Sequence, residues 1–125
     1  MPRVLIACEY SRMLTDSYLK YLRERGIDSE VARSPERAMS LVARGDRFDA
    51  YALSTFRGDS YPSGRWIEMA DHIRKMNPNS KILLLTSSMD RLAVEEAGRR
   101  QIWVVDVLRQ KVIETPIKIV NLVNQ

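Results

Sequence analysis

Lys81-Ile82-Leu83-Leu84-Leu85-Thr86 holds four consecutive apolar residues between a lysine and a threonine. A strand with one face in water alternates polar and apolar positions. An unbroken apolar run of this length therefore reads as a strand covered on both sides, the habit of parallel sheets flanked by helices. The residues around it agree. Upstream, Trp66, Ile67, Ala70 and Ile73 recur at helical spacing, and the helix they predict ends near Asn77-Pro78, because a residue before proline is pushed out of the α region. Downstream, Ser87 followed three residues later by Asp90 reads as a capping box with the shorter acid, opening a helix that runs to about Arg100.

The same alternation extends in both directions. Val4-Leu5-Ile6-Ala7 and Ala50-Tyr51-Ala52-Leu53 are further short apolar runs, and Ile102-Trp103-Val104-Val105 is the fifth strand. Residues 29–32 form a weaker second strand. Leu14, Tyr18, Leu19 and Leu22 mark a helix over 14–25, with Gly26 free to turn left-handed after it. Ser34-Pro35 supplies an N-cap and a first-turn proline to a second helix, striped by Ala38, Leu41 and Val42, that runs to Gly45. Thr115-Pro116 reads the same way for a last helix through Ile117, Ile119, Val120 and Val123. Residues 56–63, with Gly58, Asp59, Pro62 and Ser63, make the longest predicted loop. Five strand–helix pairs of about 25 residues, with no linker between them, predict one α/β domain over 1–125 built on a parallel sheet.

Composition narrows the function. A chain of 125 residues, 45% hydrophobic and 29% charged, can bury one core without disulfides or metals. Twenty Lys+Arg against 16 Asp+Glu leave +4, but the signs alternate, as in Arg23-Glu24-Arg25, so no basic arm for nucleic acid is expected. The single cysteine, Cys8, and the lack of a secretory signal point to the reducing cytoplasm. No apolar stretch is long enough to span a bilayer. His72, the one histidine, is predicted on the third helix facing solvent, where it supports neither a metal site nor a triad.

Ligands of such sheets sit beyond the carboxyl ends of the strands. The residues there are Cys8 and Glu9, Ser54 and Thr55, Thr86 and Ser87, and the stretch from Asp106 to Lys111. In length, in order of elements and above all in the stretch Ile73-Arg74-Lys75-Met76-Asn77-Pro78-Asn79-Ser80-Lys81-Ile82-Leu83-Leu84-Leu85-Thr86, the chain resembles the receiver domain of two-component response regulators. The resemblance implies a flavodoxin-like (βα)5 three-layer sandwich with sheet order 2-1-3-4-5. It also implies a site made of an acid pair after strand one that holds magnesium, an aspartate ending strand three that accepts a phosphoryl group, a Thr or Ser after strand four, and a lysine after strand five.

Laid on this sequence, the acid pair falls on Cys8 and Glu9, the acceptor on Ser54, the hydroxyl on Thr86 and the lysine near Gln110, with Lys111 as the nearest candidate. Asp49 fixes the register, with a serine five residues on where the nucleophile belongs. One carboxylate is a poor cradle for magnesium, and a serine needs a base that an aspartate does not. The resemblance is therefore to a degenerate, pseudo-receiver form: not an enzyme, without metal or cofactor, signalling through contact with another protein or a second copy of the chain. By the same resemblance, Leu92, Trp103, Val107 and Ile117 are the expected interaction face, on the fourth helix, fifth strand and last helix. No output domain follows the last predicted helix, which leaves any output to another chain or to a part of the protein outside this sequence. The rival reading is a small flavodoxin-like enzyme binding a nucleotide or other small molecule in the same cleft. Thr86 and Ser87, at a helix N-terminus, suit an anion or a plain cap about equally. Cys8 reads as a buried small hydrophobe rather than a nucleophile.

Overall fold

The computed structural model describes residues 1–45, 47–55, 65–86, 90–107 and 114–125. The elements run β1 (Arg3–Ala7), α1 (Arg12–Glu24), β2 (Asp28–Ala32), α2 (Pro35–Ala43), β3 (Ala50–Ser54), α3 (Arg65–Met76), β4 (Lys81–Thr86), α4 (Arg91–Arg99), β5 (Trp103–Asp106) and α5 (Glu114–Val123). All strand pairs are parallel, in the order β2-β1-β3-β4-β5 expected from the sequence. No helix among the described residues is long and apolar enough to cross a membrane.

The pleat sorts the strand side chains into two cores. Leu5, Tyr51, Leu53, Ile82 and Leu84 pack with residues of α2, α3 and α4 on one face. Val4, Ile6, Cys8, Ala50, Ala52, Leu83 and Leu85 pack with Tyr18 and Leu22 of α1 and Ile119 and Leu122 of α5 on the other. Burial on both faces is why β3 and β4 read as continuous apolar runs. At the edge, β2 is half-exposed along most of its length, which is why its pattern was faint.

The turns obey their residues. Gly26 takes φ +74 after α1, and Ser34 accepts a hydrogen bond from the Arg37 amide at 3.1 Å with Pro35 behind it. Replacing Ser34 with alanine should cost about 1 kcal/mol in urea unfolding, since the Arg37 amide loses its acceptor.

Three expectations need correction. Asp90, not Ser87, caps α4: its carboxylate accepts from the Ala93 amide at 3.2 Å, so the acid at the end of the Ser-x-x-Asp pattern is the cap itself. Thr115 lies inside α5, buried at 3%, and its side chain is hydrogen-bonded to Tyr18 of α1 instead of closing the helix start. His72 does not simply face solvent, for its Nε2 is buried without a hydrogen-bond partner.

Candidate functional site at the carboxyl ends of the strands

The order reverses around β1, whose neighbours are β2 on one side and β3 on the other. That switch point opens a crevice at the carboxyl ends of β1 and β3. Ala7 is paired with Leu53, so one residue further on Cys8 and Ser54 stand side by side. Ser54 is itself in register with Leu85, and Thr86 with Asp106. The crevice floor is thus set by ladder hydrogen bonds, not by loops.

Cys8 is fully buried in the core shared with α1 and α5, and its amide donates to the Ala32 carbonyl at 3.0 Å. Burial pushes its thiol pKa up; the Tyr10 backbone and the positive charge of Arg33 pull the other way, and Glu9 adds to the rise. A thiol so placed is held protonated and unreactive at neutral pH. Glu9, the next residue, is exposed. Ser54 is 2% exposed, and its hydroxyl donates to the Thr55 carbonyl at 3.1 Å. Thr86 is buried, and its carbonyl accepts from the Val107 amide at 3.0 Å. By the pleat, Ser54 continues the row of Ala50 and Ala52 while Thr86 continues that of Ile82 and Leu84, so the two hydroxyls follow opposite faces of the sheet. The structure therefore brings Cys8 and Ser54 together on one face and sets Thr86 on the other. Lys111, Gln110 and Ser87 lie outside the described residues.

Three residues at this site were not singled out from the sequence. Tyr10 is half-buried: its ring packs on the α1/α5 core and its phenol lies within reach of the Ser54 hydroxyl. Burial pushes its phenol up to about 12, against the opposing pull of the Ser54 bond. Arg33, just beyond β2, donates to the Tyr10 carbonyl at 2.8 Å and to the Thr15 hydroxyl at 2.6 Å. Thr15 is fully buried, so the guanidinium ties the β1–α1 connection to the first turn of α1. No periodicity marks such residues. Only the position of Tyr10, directly after Glu9, hinted at it.

The donor set does not suit magnesium. Glu9 follows the buried thiol of Cys8 in place of an acid pair, and no three His, Cys, Asp or Glu among the described residues converge on a metal position. Nor do the described residues place His72, on α3, where it would serve Cys8 or Ser54 as a base.

On the β5 edge, Trp103 is 55% exposed. It borders an open groove of about 510 Å³ lined also by Val94 and Gly98 of α4, Val105 of β5 and Lys118 of α5. Of the four residues expected on an interaction face, Trp103 alone lines this groove; Leu92, Val107 and Ile117 are half-buried and do not line it.

No family model and no curated protein matches the chain. Solved structures do. The receiver domain of the Francisella response regulator 1452 is 20% identical, with 99% of this chain and 98% of that one covered at a TM-score of 0.74. The non-phosphorylated HemR receiver domain from Leptospira biflexa is 18% identical, with 100% and 96% covered and a TM-score of 0.79. A structure described as a novel family of redox sensors in the streptococci, evolved from two-component response regulators, is 16% identical, with 99% of this chain but 52% of that one covered and a TM-score of 0.77. The chain has the receiver-domain fold.

Proposed function

We propose that this chain is a receiver-like signalling domain of the degenerate kind, working through protein contacts and without phosphorylation of an aspartate. The observation that carries the reading is the pair Cys8 and Ser54, a buried thiol beside a buried hydroxyl at the switch point of a receiver fold. Ser54 stands where the resemblance puts the acceptor aspartate, and Cys8 where it puts an acid. An aspartate is already anionic at neutral pH; a serine hydroxyl has to lose its proton to a base as it attacks. Glu9, exposed at the rim, is a single carboxylate, too little to gather a divalent cation around an incoming phosphoryl group.

With the phosphotransfer chemistry gone, the contact surface is left to carry function. The β5 edge supports that role. A large aromatic on an edge strand, half in water and next to an open apolar groove, has the composition of an anchor residue. The partner is a signalling protein or a second copy of the chain.

The test is an incubation with magnesium and acetyl phosphate followed by intact-mass measurement. The mass should be unchanged, and a single added phosphoryl group overturns the reading. Light scattering with and without Trp103→Ala reports whether the β5 edge holds a second copy.

A further inference from the structure

We propose that the turn between α4 and β5 is a strained hinge, held shut by Arg74 and Arg100, that sets the α4 wall of the groove beside Trp103. The role of that groove rests on the reading of the β5 edge as a contact surface; the hinge itself does not. Two turns of the chain make the strain plain. After α1, the Gly26 amide donates to the Arg23 carbonyl and the Ile27 amide to the Leu22 carbonyl, with Gly26 at φ +74. After α4, the Gln101 amide donates to the Gly98 carbonyl and the Ile102 amide to the Ala97 carbonyl, with Gln101 at φ +56. The bonds are the same, and so is the buried isoleucine that follows. A left-handed glycine, Gly45, also follows α2. Among the described residues Gln101 alone takes a positive φ without being glycine, and its Cβ crowds the backbone as no glycine does.

Charged side chains at the same turn hold the glutamine there. Arg74 of α3 donates through Nη1 to the Arg100 carbonyl at 2.8 Å and through Nε to the Ser80 carbonyl at 3.2 Å. The first of these bonds grips the peptide that joins Arg100 to Gln101. The Arg100 guanidinium donates through Nε and Nη2 to the two Asp71 carboxylate oxygens, at 2.8 and 3.3 Å, and through Nη1 to the Glu96 carboxylate. α3 thus holds the turn twice, by its main chain and by its side chain. Isolated surface ion pairs contribute little, but a two-pronged guanidinium–carboxylate contact joined to a second carboxylate fixes a geometry. A strained conformation persists only while its surroundings over-determine it. Its relaxed alternative returns Gln101 to negative φ and gives up the Ile102 bond to Ala97. The turn is the covalent link between Gly98 in the α4 wall of the groove and Ile102 and Trp103 in its β5 floor. Opening the hinge therefore parts wall from floor.

The experiment is amide hydrogen exchange by NMR on the full chain, read at Ile102, with Ile27 in the matching α1 turn as the reference. Gln101→Gly should slow exchange at Ile102 about five-fold, since the left-handed conformation then carries no Cβ penalty. Arg74→Met and Arg100→Met should each speed it about ten-fold, the factor for a hydrogen bond from a charged group. Adding Gln101→Gly to Arg74→Met should bring the rate back to about two-fold above wild type, the product of those factors. Relaxation dispersion at the Trp103 indole, which senses a minor state of the groove, should grow in Arg74→Met and shrink in Gln101→Gly. Unchanged exchange at Ile102 in Gln101→Gly, or in both arginine variants, overturns the proposal. So does equal acceleration at Ile27, which would mean that exchange follows global unfolding. Faster exchange at Ile102 with an unaltered Trp103 indole overturns the link to the groove. The phosphodonor and light-scattering experiments read other outcomes, so the hinge can fail while the receiver-like reading stands.

Discussion

Replacing Cys8 with aspartate should destabilise the protein by about 4 kcal/mol at pH 7, even though it restores the acid that the receiver resemblance puts at that position. Cys8 is fully buried among Val4, Ile6, Ala52 and Leu85, and a carboxylate set there loses its hydration, of which Arg33 returns part. A buried acid of this kind rises by about three pKa units, worth about 4 kcal/mol between the protonated and ionised forms. The direction fixes the pH dependence. An acid whose folded pKa lies above its unfolded one leaves stability intact below the unfolded pKa and removes it as pH rises through the folded value. Cys8→Asp should therefore be near wild-type stability at pH 4 and weakest near neutrality, as urea midpoints across that range will show. A variant as stable as wild type at pH 7 would mean the β1 terminus still accommodates an acid. Stabilisation by added magnesium would go further and return the site to ordinary receiver chemistry.

That result bears on the proposal that the site lacks the acid pair of a receiver. A working acid pair needs water and a cation, whereas Cys8 is fully buried in the α1/α5 core. Restoring one side chain does not restore the cavity around it. On the proposed reading, reversing Ser54 alone would leave Cys8 buried at the end of β1.

What could be read from the sequence follows from the range of each interaction. β4 was plain because burial on both faces shows in the four consecutive apolar residues Ile82, Leu83, Leu84 and Leu85. The position of Ser54 was plain because it needs only a count along one strand from Asp49. The α4 cap was ambiguous locally: Ser87 and Asp90 both have capping side chains, and only the bond from the Ala93 amide to Asp90 decides between them. Thr115 misled for a related reason. Proline is tolerated throughout the first helical turn, so Thr-Pro does not specify which residue is the cap, and its contact with Tyr18 comes from the opposite end of the chain. Tyr10 and Arg33 were invisible as a pair because their bond spans 23 residues and depends on β1 and β2 being neighbours in the sheet. Secondary structure is written in short-range pattern. The closure of the site is written in contacts that exist only after the sheet has formed.

Raised above pH 10, the protein should unfold far more readily than a surface count of its charges suggests, and Tyr10 should account for much of the effect. Burial pushes its phenol up to about 12 from an ordinary 10, and burial also raises Tyr18, Tyr51 and the Cys8 thiol. In each case the fold favours the neutral form. Below the unfolded pKa values both states are neutral and stability is whole; above them the unfolded chain ionises first, and stability falls until the folded groups ionise as well. Two pKa units at Tyr10 correspond to about 2.7 kcal/mol, and solvent screening of a ring that is only partly buried trims this to about 2 kcal/mol. The loss should run from pH 10 to 12, with Cys8 contributing from about pH 9 upward. Urea midpoints at pH 8, 10 and 11.5 will trace the fall, and tyrosinate absorbance will show whether a phenol ionises only as the chain unfolds. In Tyr10→Phe the slope between pH 10 and 12 should flatten, leaving the shallower decline due to Tyr18 and Tyr51. An unchanged slope in that variant would mean that the Tyr10 hydroxyl is open to water.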